Sequence, residues 1–152
     1  MRALGLLVLV SAACVPPPGP MERLGDAAHQ LNIATRFARM DVAIALVDAE
    51  RQGEFAARHA LWHRDLRIVD LELAGVQMVA AGEAQVSIAV MWHRLDETNV
   101  RVTSIEQYWK QNGDDWRLVE ESHVAGSPGL FAIPKVKGKA GGGKALERGF
   151  VD

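Results

Sequence analysis

Hydrophobic and polar positions change period once along the chain, dividing it into a helical part and a stranded part. From residue 22 to about 48, Leu31, Ala34, Ala38, Val42, Ala45 and Leu46 recur at helical spacing, and so do Ile33, Phe37, Met40, Ile44 and Val47. The segment is rich in Ala, Leu, Arg and Met and contains no proline. At about 100° per residue the two stripes lie on opposite sides. The pattern predicts one long helix held between two apolar partners; the alternative is a restart with Asp41 as cap. A second helix is predicted from about Glu50 to His63. It carries Phe55, Arg58, His59 and Trp62 on one side, and Gly53 weakens its first turn.

Beyond His63 the period falls to two. Val69-Asp70-Leu71-Glu72-Leu73 alternates as a half-buried strand does. After Gly75 the apolar set shifts to Val76 and Met78, the phase flip of a bulge. Val86, Ile88, Val90 and Trp92 give a second alternation. Asp96 to Asn99 reads as a turn, and a third strand runs from about Val100 to Gln111. Asn112-Gly113 is a hairpin signal leading into Trp116-Arg117-Leu118-Val119. A two-residue turn there pairs Lys110 with Asp115, Trp109 with Trp116, and Gln107 with Leu118. Ile88, Val90, Trp92, Ile105, Trp109, Trp116 and Leu118 then share one face. Helices covering that face give two layers around one core, an α+β domain over residues 21–133.

The flanks differ in kind. Residues 1–13 open with Arg2, continue through an apolar run to Val10 and end in Ser11, Ala12 and Ala13. The run is too short to span a bilayer, which takes about 20 residues, and fits a secretory signal. Val10-Ser11-Ala12-Ala13-Cys14 resembles the lipobox of bacterial lipoproteins, with Ser11 where Leu is usual. The resemblance implies acylation of Cys14, the only cysteine, and membrane lipid as a partner. Residues 14–20 hold four prolines and read as a stiff tether. Val15 after the cysteine is not an acidic retention signal. In a Gram-negative cell the resemblance therefore implies the cell envelope, at the outer membrane; plain secretion is the alternative. Residues 134–152 are glycine-rich, with five basic residues against two acidic. Such a segment cannot bury enough surface to order itself and reads as a solubilising or anion-contacting tail.

Among its 152 residues the chain carries a net charge of −2, and residues 21–133 hold eleven basic residues against seventeen acidic. No global basic field exists for nucleic acid, and no nucleic-acid partner is expected. A single cysteine excludes an intrachain disulfide. No phosphate-binding glycine loop or nucleophile elbow occurs, and no cofactor is expected.

Helices followed by a bulged antiparallel sheet resemble the nuclear transport factor 2-like superfamily. Phe55…Trp62, Arg67-Ile68-Val69-Asp70, Ala84…Val90-Met91-Trp92-His93-Arg94, Gln107-Tyr108-Trp109 and Trp116-Arg117-Leu118-Val119-Glu120 carry that resemblance. It implies a cystatin-like, cone-shaped domain whose curved four-stranded sheet wraps a helix. Some members use the cone for acid–base chemistry on small apolar molecules, and others only bind or dimerise; fold alone does not choose.

Candidate residues follow from the shared face. Arg101, Thr103, Gln107 and Glu120 are expected to point toward the helices, among Trp92 and Trp109. Trp92, Arg101, Gln107, Trp109 and Glu120 are therefore the candidate ligand site, for a small apolar ligand. Glu120 is the candidate general base of an isomerase- or cyclase-like alternative. Tyr108, of opposite parity, should face outward. His59 and His63, four apart, lack a third ligand and the H-E-x-x-H pattern, and are read as surface histidines at the core edge. Met91, His93, Leu95, Val100, Val102 and Tyr108 would form a mixed apolar outer face, a candidate homodimer surface. The expected function is non-catalytic binding of a small apolar ligand or a protein partner by a membrane-anchored domain. A third alternative is a structural envelope protein whose cone is filled by side chains.

Overall fold

The computed structural model describes residues 17–131. Cys14, the expected signal segment 1–13 and the expected tail 134–152 lie outside the described residues. Three helices, α1 (Pro20–Arg36), α2 (Met40–Ala45) and α3 (Gln52–Arg58), precede four strands. These are β1 (Leu66–Ala80), β2 (Glu83–Arg94), β3 (Arg101–Asn112) and β4 (Asp115–Gly126), in the spatial order β1-β2-β3-β4, each antiparallel to its neighbour. The domain is α+β, with the helices on one face of the sheet.

Helix α1 begins inside the proline-rich tether. Pro20 sits in its first turn, where a missing N–H costs no intrahelical bond. One face is buried: Leu24, Ala28, Leu31, Asn32, Ala34 and Thr35. The expected single helix to residue 48 is corrected, because α1 stops at Arg36. Arg39 N–H bonds the Ala34 carbonyl at 2.8 Å, and Ala38 N–H bonds that of Thr35 at 3.2 Å. This two-bond terminator requires a left-handed residue, and Ala38 supplies it at φ +59°. The second apolar stripe has no partner at this point, and Phe37 is left 61% exposed. Glycine avoids the Cβ penalty at φ > 0. Ala38→Gly is therefore expected to stabilise the domain by about 0.5–1 kcal/mol, after allowing for glycine's freer unfolded chain. Urea unfolding checks this; a loss of stability would show that the terminator does not rest on Ala38.

Helix α3 is shorter than expected. Past Arg58 the chain continues in turns, and His63 adopts φ +63°. Phe55, His59 and Trp62 still bury together, as their spacing implied.

The sheet's inward rows follow the alternation. Val86, Ile88, Val90 and Trp92 are at most 2% exposed, and so are Thr103, Ile105, Gln107 and Trp109 of β3. A register shift between Leu73 and Gly75 is the bulge expected at Gly75.

The β3–β4 register corrects the expected pairing. Asn112 pairs with Asp115, Gln111 with Trp116 and Trp109 with Leu118, so the two loop residues are Gly113 and Asp114. Gly113 takes φ +63° at the first loop position, where it carries no Cβ penalty, and Asn112 remains in the strand. The two-residue shift preserves parity, and both tryptophans stay inward. One residue then bulges from β4: Tyr108 pairs with Glu120 and Gln107 with Glu121. An extra residue reverses parity beyond it. Glu120, expected inward, is exposed on the outer face, and Glu121 is buried in its place.

Residues 127–131 close the core. Leu130 is 1% exposed, and its carbonyl accepts the Trp62 Nε1–H at 2.9 Å.

Candidate functional site

Four of the five expected site residues meet on the inward face. Trp92 and Trp109 are fully buried. Trp92 Nε1–H donates to Thr103 Oγ1 at 2.9 Å, whereas the buried Trp109 Nε1–H has no partner among the described residues. Arg101 lies 5.2 Å from the centre of a Trp92 ring and pairs with Glu97. Gln107 is fully buried. Glu120 is not with them, for the reason of register given above.

Glu121 takes the inward position, in a chain of polar groups that crosses the core. Asn32 on α1 donates from Nδ2 to the Ala28 carbonyl at 2.8 Å and to Gln107 Oε1 at 3.2 Å. Gln107 returns a bond from Nε2 to Asn32 Oδ1 at 3.0 Å and gives another to Glu121 Oε1 at 2.9 Å. Glu121 Oε2 lies 3.4 Å from His59 Nε2, near enough for attraction but not aligned as a hydrogen bond. His59 Nδ1 is 2.8 Å from the Phe55 carbonyl, which can only accept, so Nδ1 carries a hydrogen. The imidazole Nε2 and the carboxyl Oε2 face each other as a buried pair. Its His59 ring packs 4.1 Å from Phe55 and 4.5 Å, edge-on, from Trp62.

His59 is therefore a core residue, which corrects its reading as a surface histidine. The two histidines do not share a helix, because α3 ends at Arg58 and the left-handed His63 bonds the Thr35 carbonyl through Nε2 at 2.8 Å. Asn32 and Glu121 were missed by sequence reasoning. Asn32 had a visible signal, since its spacing from Ala28 and Thr35 puts a polar side chain on the buried stripe of α1.

The cleft beside Glu121, between α3 and β4, measures about 20 Å³, room for roughly one water molecule. Another cleft, between α1 and β1 at Asn32, Leu71 and Leu73, is as small. The inward face is filled by side chains rather than hollow. A fixed carboxylate beside an imidazole could move a proton, but its surroundings admit no more than a solvent molecule.

Tyr108 faces outward, as its parity implied. Its hydroxyl donates to Glu83, which also lies 3.5 Å from Lys110 Nζ. The hydrogen bond from Tyr108, helped by Lys110, holds the Glu83 carboxyl below its usual pKa; the same bond holds the Tyr108 phenol above its own. The contact stabilises the fold above the ordinary carboxylate range, and that gain is lost as pH falls through the lowered Glu83 value. At the other end it is present below the ordinary phenol range and lost as pH rises through the raised Tyr108 value. Tyr108→Phe is expected to return Glu83 upward toward a free glutamate. A carboxyl carbon NMR titration reads the change; an unmoved Glu83 would show that the phenol is not its governing partner.

No protein-family model matches the sequence, and no curated protein matches it. Among solved structures, the chain is similar to a SEC-C motif containing protein from Rhodopseudomonas palustris. The two share 16% identity over 61% of this chain and 72% of that one, with a TM-score of 0.51. A similarity to the intermembrane space region of the chloroplast protein ARC6 has a TM-score of 0.46 and 16% identity, over 72% of this chain and 99% of that one. At this identity the first likeness is one of fold alone.

Proposed function

We propose that this chain is an exported lipoprotein, held in the cell envelope through acylated Cys14, whose domain acts by contact with a protein partner and turns over no substrate. The observation that carries the second half is the filled inward face. Trp92, Thr103, Gln107 and Trp109 have no exposed surface, and the inward Glu121 is enclosed, with Oε1 bonded by Gln107 and Oε2 3.4 Å from His59. Non-catalytic members are part of what the resemblance to the nuclear transport factor 2-like superfamily implies. A contact surface is available on the opposite face, where Met91 pairs with Val102 and both are about half exposed. Leu95 and Val100, 56% and 53% exposed, extend the patch beyond the strand ends. A second copy of the chain could occupy it equally well.

The test is mass spectrometry of the full-length protein made in a Gram-negative host and released from neutral detergent under native conditions. The expected mass is that of a chain beginning at Cys14 with acyl groups attached and no further adduct. A retained small apolar molecule would return the ligand-binding alternative, and an uncleaved or unacylated chain would overturn the anchor.

A further inference from the structure

We propose that the cleft at the C-terminal end of α1 binds a phosphate group carried on a small molecule. It is lined by Arg36, Phe37, Ala38, His63 and the β1 residues 67–69, and its volume is about 310 Å³. That volume suits a small ligand, unlike the water-sized clefts on the inward face.

The backbone marks this place first. Ala38 and His63 are the two non-glycine residues with positive φ among the described residues, and both line this one cleft. A Cβ disfavours that conformation, and such residues concentrate where a site must be held in shape. They come from separate connections, one after α1 and one after α3.

Charge marks it second. Arg67 is exposed and has no ion-pair or hydrogen-bond partner for its side chain among the described residues. Arg36 bonds Asp70 at 2.7 Å and the Val69 carbonyl at 2.6 Å, which fixes its guanidinium at the rim. His63 Nε2 donates to the Thr35 carbonyl, so Nδ1 of the neutral ring is an acceptor, which the hydroxyl of a singly protonated phosphate can meet. Asp70 is the acid in contact with this group, against two guanidiniums. The Ala34 and Thr35 carbonyls at the end of α1 are already bonded by Arg39, Ala38 and His63 and offer an anion little repulsion.

The donors sit on two elements, Arg36 at the end of α1 and Arg67 on β1, with the His63 ring between them as an acceptor. A planar carboxylate is satisfied by a single guanidinium fork, whereas a tetrahedral phosphate takes donors from several directions. Phe37 supplies an apolar wall for the organic part, 61% exposed with the Arg36 guanidinium 5.4 Å from its ring centre.

The site adjoins the outer-face contact, since Arg67 pairs with His93 and Asp70 with Met91, but the phosphate titration reads the cleft alone, so its failure leaves the proposed function standing. The test is calorimetric titration of the detergent-solubilised full chain with phenyl phosphate and with inorganic phosphate. Phenyl phosphate is expected to bind, and inorganic phosphate more weakly. Arg67→Ala should weaken phenyl phosphate by about tenfold, the effect of one charge-assisted hydrogen bond. Phe37→Ala should reduce it to the level of inorganic phosphate. Both side chains are exposed, and unchanged thermal unfolding confirms that the variants fold. If water-soluble short-chain phosphatidylglycerol competes with phenyl phosphate in the titration, the phosphate is a lipid headgroup; if it does not compete, the phosphate belongs to a soluble ester. An absence of binding at millimolar phenyl phosphate overturns the proposal, as does equal affinity in Arg67→Ala.

Discussion

Glu121→Ala is expected to destabilise the domain by about 3–5 kcal/mol, and Glu120→Ala, one residue away, by less than about 0.5 kcal/mol. Glu121 is 5% exposed, accepts from Gln107 and lies beside the equally buried His59. Truncating it leaves a Gln107 donor and an imidazole enclosed without their partner, which costs far more than the lost methylenes. Glu120 points to solvent on the other side of the same strand. Urea unfolding of the two variants therefore reads the bulge directly. A larger cost at Glu120 than at Glu121 would mean that β4 runs through without it. A double-mutant cycle between Glu121 and His59 should also show coupling, since neither group has a full substitute for the other.

The second large effect belongs to Trp92. Trp92→Ala should cost about 3–5 kcal/mol through the cavity alone. The indole also anchors what surrounds it. Its Nε1–H holds Thr103 Oγ1, the Thr103 hydroxyl donates to the Ser127 carbonyl at 2.6 Å, and its six-membered ring lies against Gly129. Phenylalanine substitutions separate the two contributions. Trp92→Phe gives up a satisfied buried hydrogen bond, whereas Trp109→Phe removes an N–H that has none. At similar loss of volume, Trp92→Phe should be the more destabilising by about 1–2 kcal/mol. Thermal or urea unfolding checks the order, and a reversed order would show that Trp109 Nε1 is satisfied after all.

The inward rows of β2 and β3 were legible because strict alternation over four or more residues encodes which face is buried. The bulge at Gly75 was legible for the same reason: the apolar phase flips there in the sequence itself. The bulge in β4 left no such mark. Val119 is a good strand residue, and the two glutamates that follow are the same letter, so the pattern cannot say which one is buried. Which carboxyl enters the site turned on that single residue. The break after α1 was hidden differently, because alanine is the strongest helix former and Ala38 sits where the heptad-like spacing continues across the gap. Only its dihedral angle records the break. Asn112-Gly113 signalled a hairpin correctly, but the same letters fit a loop of Gly113-Asp114, and the choice lies in which residue takes φ > 0.

Pro20 accepts from Trp116, Asn32 bonds Gln107, and Leu130 accepts from Trp62, across 96, 75 and 68 residues of chain. The hairpins are local and Arg36 ties α1 to β1, but the bonds that cross the core wait for β3, β4 and the segment beyond them. A ribosome-bound fragment ending before β3 would lack all three bonds, and loop-closure entropy would leave its helices loosely docked. For a protein exported as proposed above, that delay has a use: the chain stays threadable until nearly all of it has been made, and folds on the far side of the membrane.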